Sequence, residues 1–137
     1  MSKFLVSSVF ILGLFVLIFT LHVLALVLGW YASFADFDNL HHFLGGVWSA
    51  AVFFYLLKSR PNIFDPGRNF WATIIFGLGF VGLAGLAWEF FEFFFDWVFA
   101  NYGIPARFQL GLNDTMSDLF FGLAGGFAFT IAYFKAL

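Results

Sequence analysis

The chain contains no cysteine. A disulfide framework and a thiolate metal site are both excluded, and the redox compartment leaves no trace in the sequence. Charge is scarce as well: 10% of the 137 residues are charged, against about 25% in a soluble domain. Together with 63% hydrophobic residues and a mean hydropathy of +0.96, this is the composition of a membrane protein. Basic residues number six and the net charge is −2, which leaves no footprint for nucleic acid. Nucleophile contexts of the Ser-x-x-Lys or Gly-x-Ser-x-Gly kind are missing, as is a phosphate loop. Gly77-Leu78-Gly79-Phe80-Val81-Gly82 does spell Gly-x-Gly-x-x-Gly, but it lies in an apolar run with no strand before it, so a dinucleotide reading fails.

What is abundant is apolar sequence in long runs. Four of them, Phe4–Trp30, Leu40–Leu57, Phe70–Phe95 and Thr115–Phe134, can cross a hydrocarbon layer of about 30 Å as helices. The expected fold is all-α: a four-helix transmembrane bundle forming one integral membrane domain over residues 1–137. The first run is roughly twice the length of a signal-peptide core, which favours a retained span over cleavage after Ala35. Pro61, Pro66 and Gly67 mark a loop between the second and third runs. The stretch from Trp97 to Asp114, broken by Gly103 and Pro105, is expected along the interface or folded back over the helix ends.

Charge placement orients the bundle. Lys3, Lys58, Arg60, Arg68 and Lys135 fall on one side of alternating helices, which the positive-inside rule makes cytoplasmic; both termini are then cytoplasmic, as in a bacterial inner membrane. Asp36, Asp38, Glu89, Glu92, Asp96, Asp114 and Asp118 fall on the other side, and only Asp65 and Arg107 break the segregation. Trp30, Tyr31, Trp88, Trp97 and Tyr102 lie where an outer aromatic belt would.

Counting from each inner basic anchor at 1.5 Å per residue gives the depth of the ionisable groups. His22 comes out roughly 28 Å from Lys3, His42 about 24 Å from Lys58, Glu89 about 31 Å from Arg68 and Asp118 about 25 Å from Lys135. Four helices thus bring an ionisable side chain to nearly one level below the outer interface, within a spread that tilt can absorb.

His42, Glu89, Glu92, Asp114 and Asp118 form the expected site, with His22, Asp38 and Arg107 in support. Carboxylates and imidazole from three helices suit Zn, Fe or Mn. The same groups could act as an acid–base pair, hold a cationic head group, or form a structural hydrogen-bond network. Asp38 and Asp114 also stand where helix N-caps stand. Glu89, Glu92 and Asp96 form one stripe of a helix (i, i+3, i+7) near its C-terminus, where acids oppose the dipole, so capping cannot explain them. Glu89 is expected in the core, Glu92 at the rim, and Asp96 at the surface or paired with Arg107. His41 is expected on the solvent side of His42, and His22 either joins the site or makes an interhelical hydrogen bond. Gly45-xxx-Ser49, Gly122-xxx-Gly126 and the glycines from 77 to 85 are expected to let helices approach or to support oligomers. With one basic residue outside, a phosphate-bearing ligand would need a bridging metal.

Three separated motifs carry a resemblance. Asp38…His42-Phe43, Trp88-Glu89…Glu92, and Asp114-Thr115…Asp118 with Gly122 resemble the YjdF-type family of small bacterial membrane proteins. The spacing is also similar to that of the VanZ-like family: Asp38, His42, Glu89, Arg107 and Asp114 match its pattern, while Glu92 stands in place of Gln and Asp118 in place of Asn. The resemblance covers about the last hundred residues. It implies a multi-pass membrane fold without specifying a reaction, and the VanZ-like spacing implies an envelope setting. The partners expected are the lipid bilayer and a lipid or envelope-precursor ligand.

Overall fold

The computed structural model describes residues 2–34, 36–60, 67–103, 108 and 110–137, with the side chains of residues 2 and 3 excluded. Its elements are all helical: α1 (Ser2–Leu5), α2 (Ser8–Leu28), α3 (Trp30–Ser33), α4 (Phe37–Ser59), α5 (Phe70–Asn101) and α6 (Leu112–Lys135). Helices α2, α4, α5 and α6 are long and apolar enough to span a membrane. They correspond to the four apolar runs, and their ends differ for local reasons.

The first run is divided. Ser7 adopts an extended conformation and its hydroxyl accepts the Phe10 N–H, so α2 starts at Ser8 with a proper N-cap. Gly29 takes the left-handed conformation (φ +69°) and returns its N–H to the Ala25 carbonyl, ending α2 before Trp30. The third run overshoots in the other direction. α5 has 32 residues, roughly 48 Å of helix, and ends only where Gly103 turns left-handed.

Lipid acts as the solvent for most of the surface. Val9, Val27, Trp71 and Leu83 are each at least 70% exposed, which is tolerable only against hydrocarbon. The core is small and lies toward the basic end: Val6, Ala50, Ala51, Phe54, Val81 and Phe129, with Phe54 stacked on Tyr133 at 4.2 Å between centroids. Thr73 and Thr130 are fully buried there, and their hydroxyls donate to Asn69 and Gly126 carbonyls one turn back.

Helices α4, α5 and α6 pack as a tight trio, while α2 leans chiefly on α4. The closest seam joins α4 to α6. A Cβ on Gly46 would fall on the Gly122 carbonyl, and one on Gly125 would fall on the Phe43 carbonyl. The expected seam at Gly45 is therefore displaced by one residue, since a Cβ on Gly45 meets open space. Gly126 abuts Val81 and Gly77 abuts Thr130, as close approach requires, whereas Gly79 faces nothing.

Four crossings sort the ends. At one, Arg68 donates to the Leu137 carbonyl (3.3 Å) and Phe70 packs edge-on against Phe134. At the other lie Tyr31, His41, Asp96 and Phe108, together with the acids considered next.

A candidate His/carboxylate site

The opening turns of α4 and α6 and the outer half of α5 converge on Asp118. This residue is 3% exposed, on the second turn of α6. Its Oδ1 lies 3.5 Å from His42 Nε2, and the same ring nitrogen lies 3.7 Å from Asp38 Oδ1. Asp38 and His42 share a face of α4 because they are four residues apart. On the other side of Asp118 are Glu89 and Glu92, one turn apart on α5 and 5% and 7% exposed.

Two overlapping triads result. Ligand atoms of Asp38, His42 and Asp118 lie within 4.8 Å of one another, and so do those of Glu89, Glu92 and Asp118. Asp118 is common to both. Acids this close repel strongly in a dry interior unless protons or a cation intervene. Glu92 is partly answered by the Trp88 indole N–H, which donates to Oε1 at 2.8 Å. Glu89 Oε2 is buried with no hydrogen-bond partner. An orphan carboxylate oxygen inside a helix bundle is the kind of group that calls for an explanation.

The other expected members take different places. Asp114 belongs to neither triad among the described residues; its Oδ2 accepts the Leu110 N–H (2.9 Å) and fastens the chain entering α6. It is not the N-cap, nor is Asp38: the caps are Gly111 and Asp36, and both acids lie within the first turn. Glu92 is not at the rim but nearly as buried as Glu89, because α5 continues past it and the neighbouring helices cover it. Asp96 accepts the Phe108 N–H with both oxygens (2.9 Å each), drawing the α5–α6 connection back so that Phe108 meets Phe95 edge-on. Arg107 lies outside the described residues.

His22 makes an interhelical bond rather than joining a triad. Its Nδ1 and the Tyr31 hydroxyl share a hydrogen bond of 2.7 Å. His41 is half-buried rather than turned outward to solvent alone: its ring is 5.4 Å from that of His22 and packs near Tyr31 and Phe37. Tyr31 stands on α3, outside the spanning helices. Burial, then the nearby carboxylates of Asp38 and Glu92, pushes its phenol well above the ordinary range, so it stays protonated.

Sequence reasoning assigned Tyr31 and Trp88 to an interfacial belt and missed their polar ends. Trp88 stands four residues before Glu92, a spacing that already allows the bond. Tyr31 reaches His22 only because Gly29 reverses the chain, which hydropathy does not encode. Asn39 and Ser117, hydrogen-bonded at 2.7 Å, tie α4 to α6 beside the site and had no sequence signal beyond their polarity.

Comparison with known proteins adds kinship but no reaction. A family profile described as "Predicted membrane protein (DUF2238)" matches residues 2–137. A protein of Thermotoga maritima, described as "Uncharacterized protein", is 31% identical over 110 residues, covering 79% of this chain and 53% of its own length. The chain thus spans about half the length of that relative. No solved structure matches the present chain.

Proposed function

The chain belongs to the DUF2238 family of predicted membrane proteins, and from that premise we propose that it holds a divalent cation at the outer ends of α4, α5 and α6. Outer here means the side that the positive-inside rule makes non-cytoplasmic. The whole chain acts as a single integral membrane domain. His42, Glu89, Glu92 and Asp118 are the ligands, with Asp38 supporting His42. The observation that carries the reading is Glu89 Oε2: a buried, unpartnered oxygen whose carboxylate lies within 4.8 Å of two others. One imidazole among several carboxylates suits Mn, Fe or Zn. A cation so placed can polarise or bridge to an oxygen of a lipid or envelope precursor, and no Lys or Arg among the described residues lines the site to do so in its place. The likeness to YjdF-type and VanZ-like proteins agrees with an envelope setting and supplies no chemistry of its own.

The test is metal analysis of the purified protein, followed by Mn²⁺ equilibrium dialysis. Wild type retains metal; His42→Ala and Glu89→Gln weaken Mn²⁺ by at least the roughly 10–100-fold that even outer-shell partners contribute. A wild-type protein that binds no divalent ion removes the reading.

A second reading has its own support. Trp88–Glu92, Asn39–Ser117 and His42–Asp118 could serve as a structural network that pins the helix ends. In that case replacing His42 and Glu89 together costs about as much stability as replacing either alone. The orphaned Glu89 oxygen favours the cation, because a purely structural network has no use for it.

A further inference from the structure

Because α2 leans chiefly on α4 and meets α6 near its inner end, where Phe10 stacks on Phe129, a cavity of about 660 Å³ opens between its outer part and α5. Its middle is walled by Phe15 and Phe19 of α2, Trp48 of α4, and Val81, Gly82 and Leu123. Its outer end is formed by His22, His41, His42, Glu89 and Asp118, so the orphaned carboxylate faces it. The polarity has a direction. Phe15 lies seven residues inward of His22, Trp48 six inward of His42, and Gly82 seven inward of Glu89. Each interval is about 10 Å of helix, against a leaflet of roughly 15 Å. Three independent helices therefore agree on a slot that is polar at the outer interface and apolar toward the midplane. Phe15 and Phe19 line the slot and remain 47% and 58% exposed, so protein does not close it over on that side.

We propose that this slot binds a phospholipid of the outer leaflet, with one acyl tail between α2 and α5 and the oxygens of the head at the Glu89–Asp118 end. A lipid of that leaflet has the same vector, head outward and tail inward; a lipid of the other leaflet has the reverse. The head is an oxygen-bearing group bound through the cation, because no Lys or Arg among the described residues lines the cavity. The proposal deepens the preceding reading, from which it takes the head site, while the tail slot stands on its own geometry. Gly45 keeps the slot clear: a Cβ there meets nothing within 4 Å, so the residue serves no helix seam.

The experiment uses the full chain in vesicles of phosphatidylglycerol doped with phosphatidylglycerol bearing a diazirine midway along one acyl chain. After irradiation, labelled residues are mapped by mass spectrometry, with Leu83, which is 70% exposed and outside the cavity lining, as the internal reference. Wild type labels Trp48 and Phe15 as well as Leu83. Gly45→Leu lowers the Trp48 and Phe15 labels at least fivefold and leaves Leu83 unchanged. Should Gly45→Leu fail to insert, Gly82→Leu fills the slot from the opposite wall, where a Cβ makes only ordinary contact with Leu123. Labels at Trp48 and Phe15 that are absent in wild type, or unmoved by either filling variant, overturn the proposal. Mn²⁺ content of the same samples separates the two readings. Bound Mn²⁺ with an unlabelled slot sinks the lipid alone, and a labelled slot without Mn²⁺ sinks the cation and the head contact made through it, leaving the tail slot.

Discussion

Glu89 and Tyr31 are the residues whose surroundings make the sharpest demands. A carboxylate at Glu89 is buried with an unpartnered oxygen, so the metal-free protein carries an uncompensated group that an amide would relieve. Glu89→Gln should therefore raise the melting temperature in chelator, by about 1 kcal/mol or roughly 4 °C, and lower it relative to wild type in saturating Mn²⁺. A structural network predicts loss in both buffers. For Tyr31 the sign follows from linkage. The folded protein keeps the phenol protonated above the pH, near 10, at which an unfolded tyrosine ionises. Its contribution is complete below about pH 10 and falls as the pH rises from there toward the folded value. Tyr31→Phe removes that slope, so melting curves from pH 9 to 12 should decline more steeply for wild type than for the variant. Neither demand was fully legible in the sequence. The level of Glu89 follows from counting turns, but its lack of a partner depends on where Trp88 and His42 point.

At the scale of the elements, the packing of α4 on α6 is decided by single atoms. Gly46→Leu would drive a side chain into the Gly122 carbonyl and should cost about 1–3 kcal/mol or prevent assembly, whereas Gly45→Ala should be nearly neutral. Thermal denaturation in detergent compares them; equal losses would contradict the seam. The outer end of α5 offers a local test. Asp96→Ala removes the acceptor of the Phe108 N–H, and hydrogen exchange at that amide should accelerate while the α5 core amides stay protected. The four spans themselves were legible, because apolar runs of this length have few alternatives in hydrocarbon. Their ends and registers were less so. The breaks at Ser7 and Gly29 lie inside uninterrupted apolar sequence, and adjacent glycines at 45 and 46 cannot be told apart by composition. Which one meets a neighbour depends on helix rotation, and the four spans show little periodicity to fix it.

For the whole molecule, charge segregation and fold make one statement about sidedness. Lys58 and Lys135 lie in the last turns of α4 and α6, where cations complement the helix dipoles, and Asp38 and Asp114 lie in the first turns at the opposite end. The absence of cysteine makes the chain its own background for labelling. Tyr102→Cys should react with an impermeant maleimide from outside intact cells, and Ser59→Cys only after permeabilisation; the reverse pattern would invert the bundle and move the site to the inner leaflet. The slot between α2 and α5 was not legible at all, because a cavity is set by where helices fail to meet. The cluster of acids and imidazole that borders it was legible in its depth, because His42, Glu89 and Asp118 reach one level on three helices. The central claim is that these residues share a divalent ion, and pulsed electron paramagnetic resonance of the Mn²⁺-loaded protein reads it at the nitrogen. Wild type should show nuclear modulation from a single coordinated imidazole that disappears in His42→Gln while Mn²⁺ is still bound more weakly. Bound Mn²⁺ with no nitrogen modulation, or modulation unchanged in His42→Gln, would contradict it.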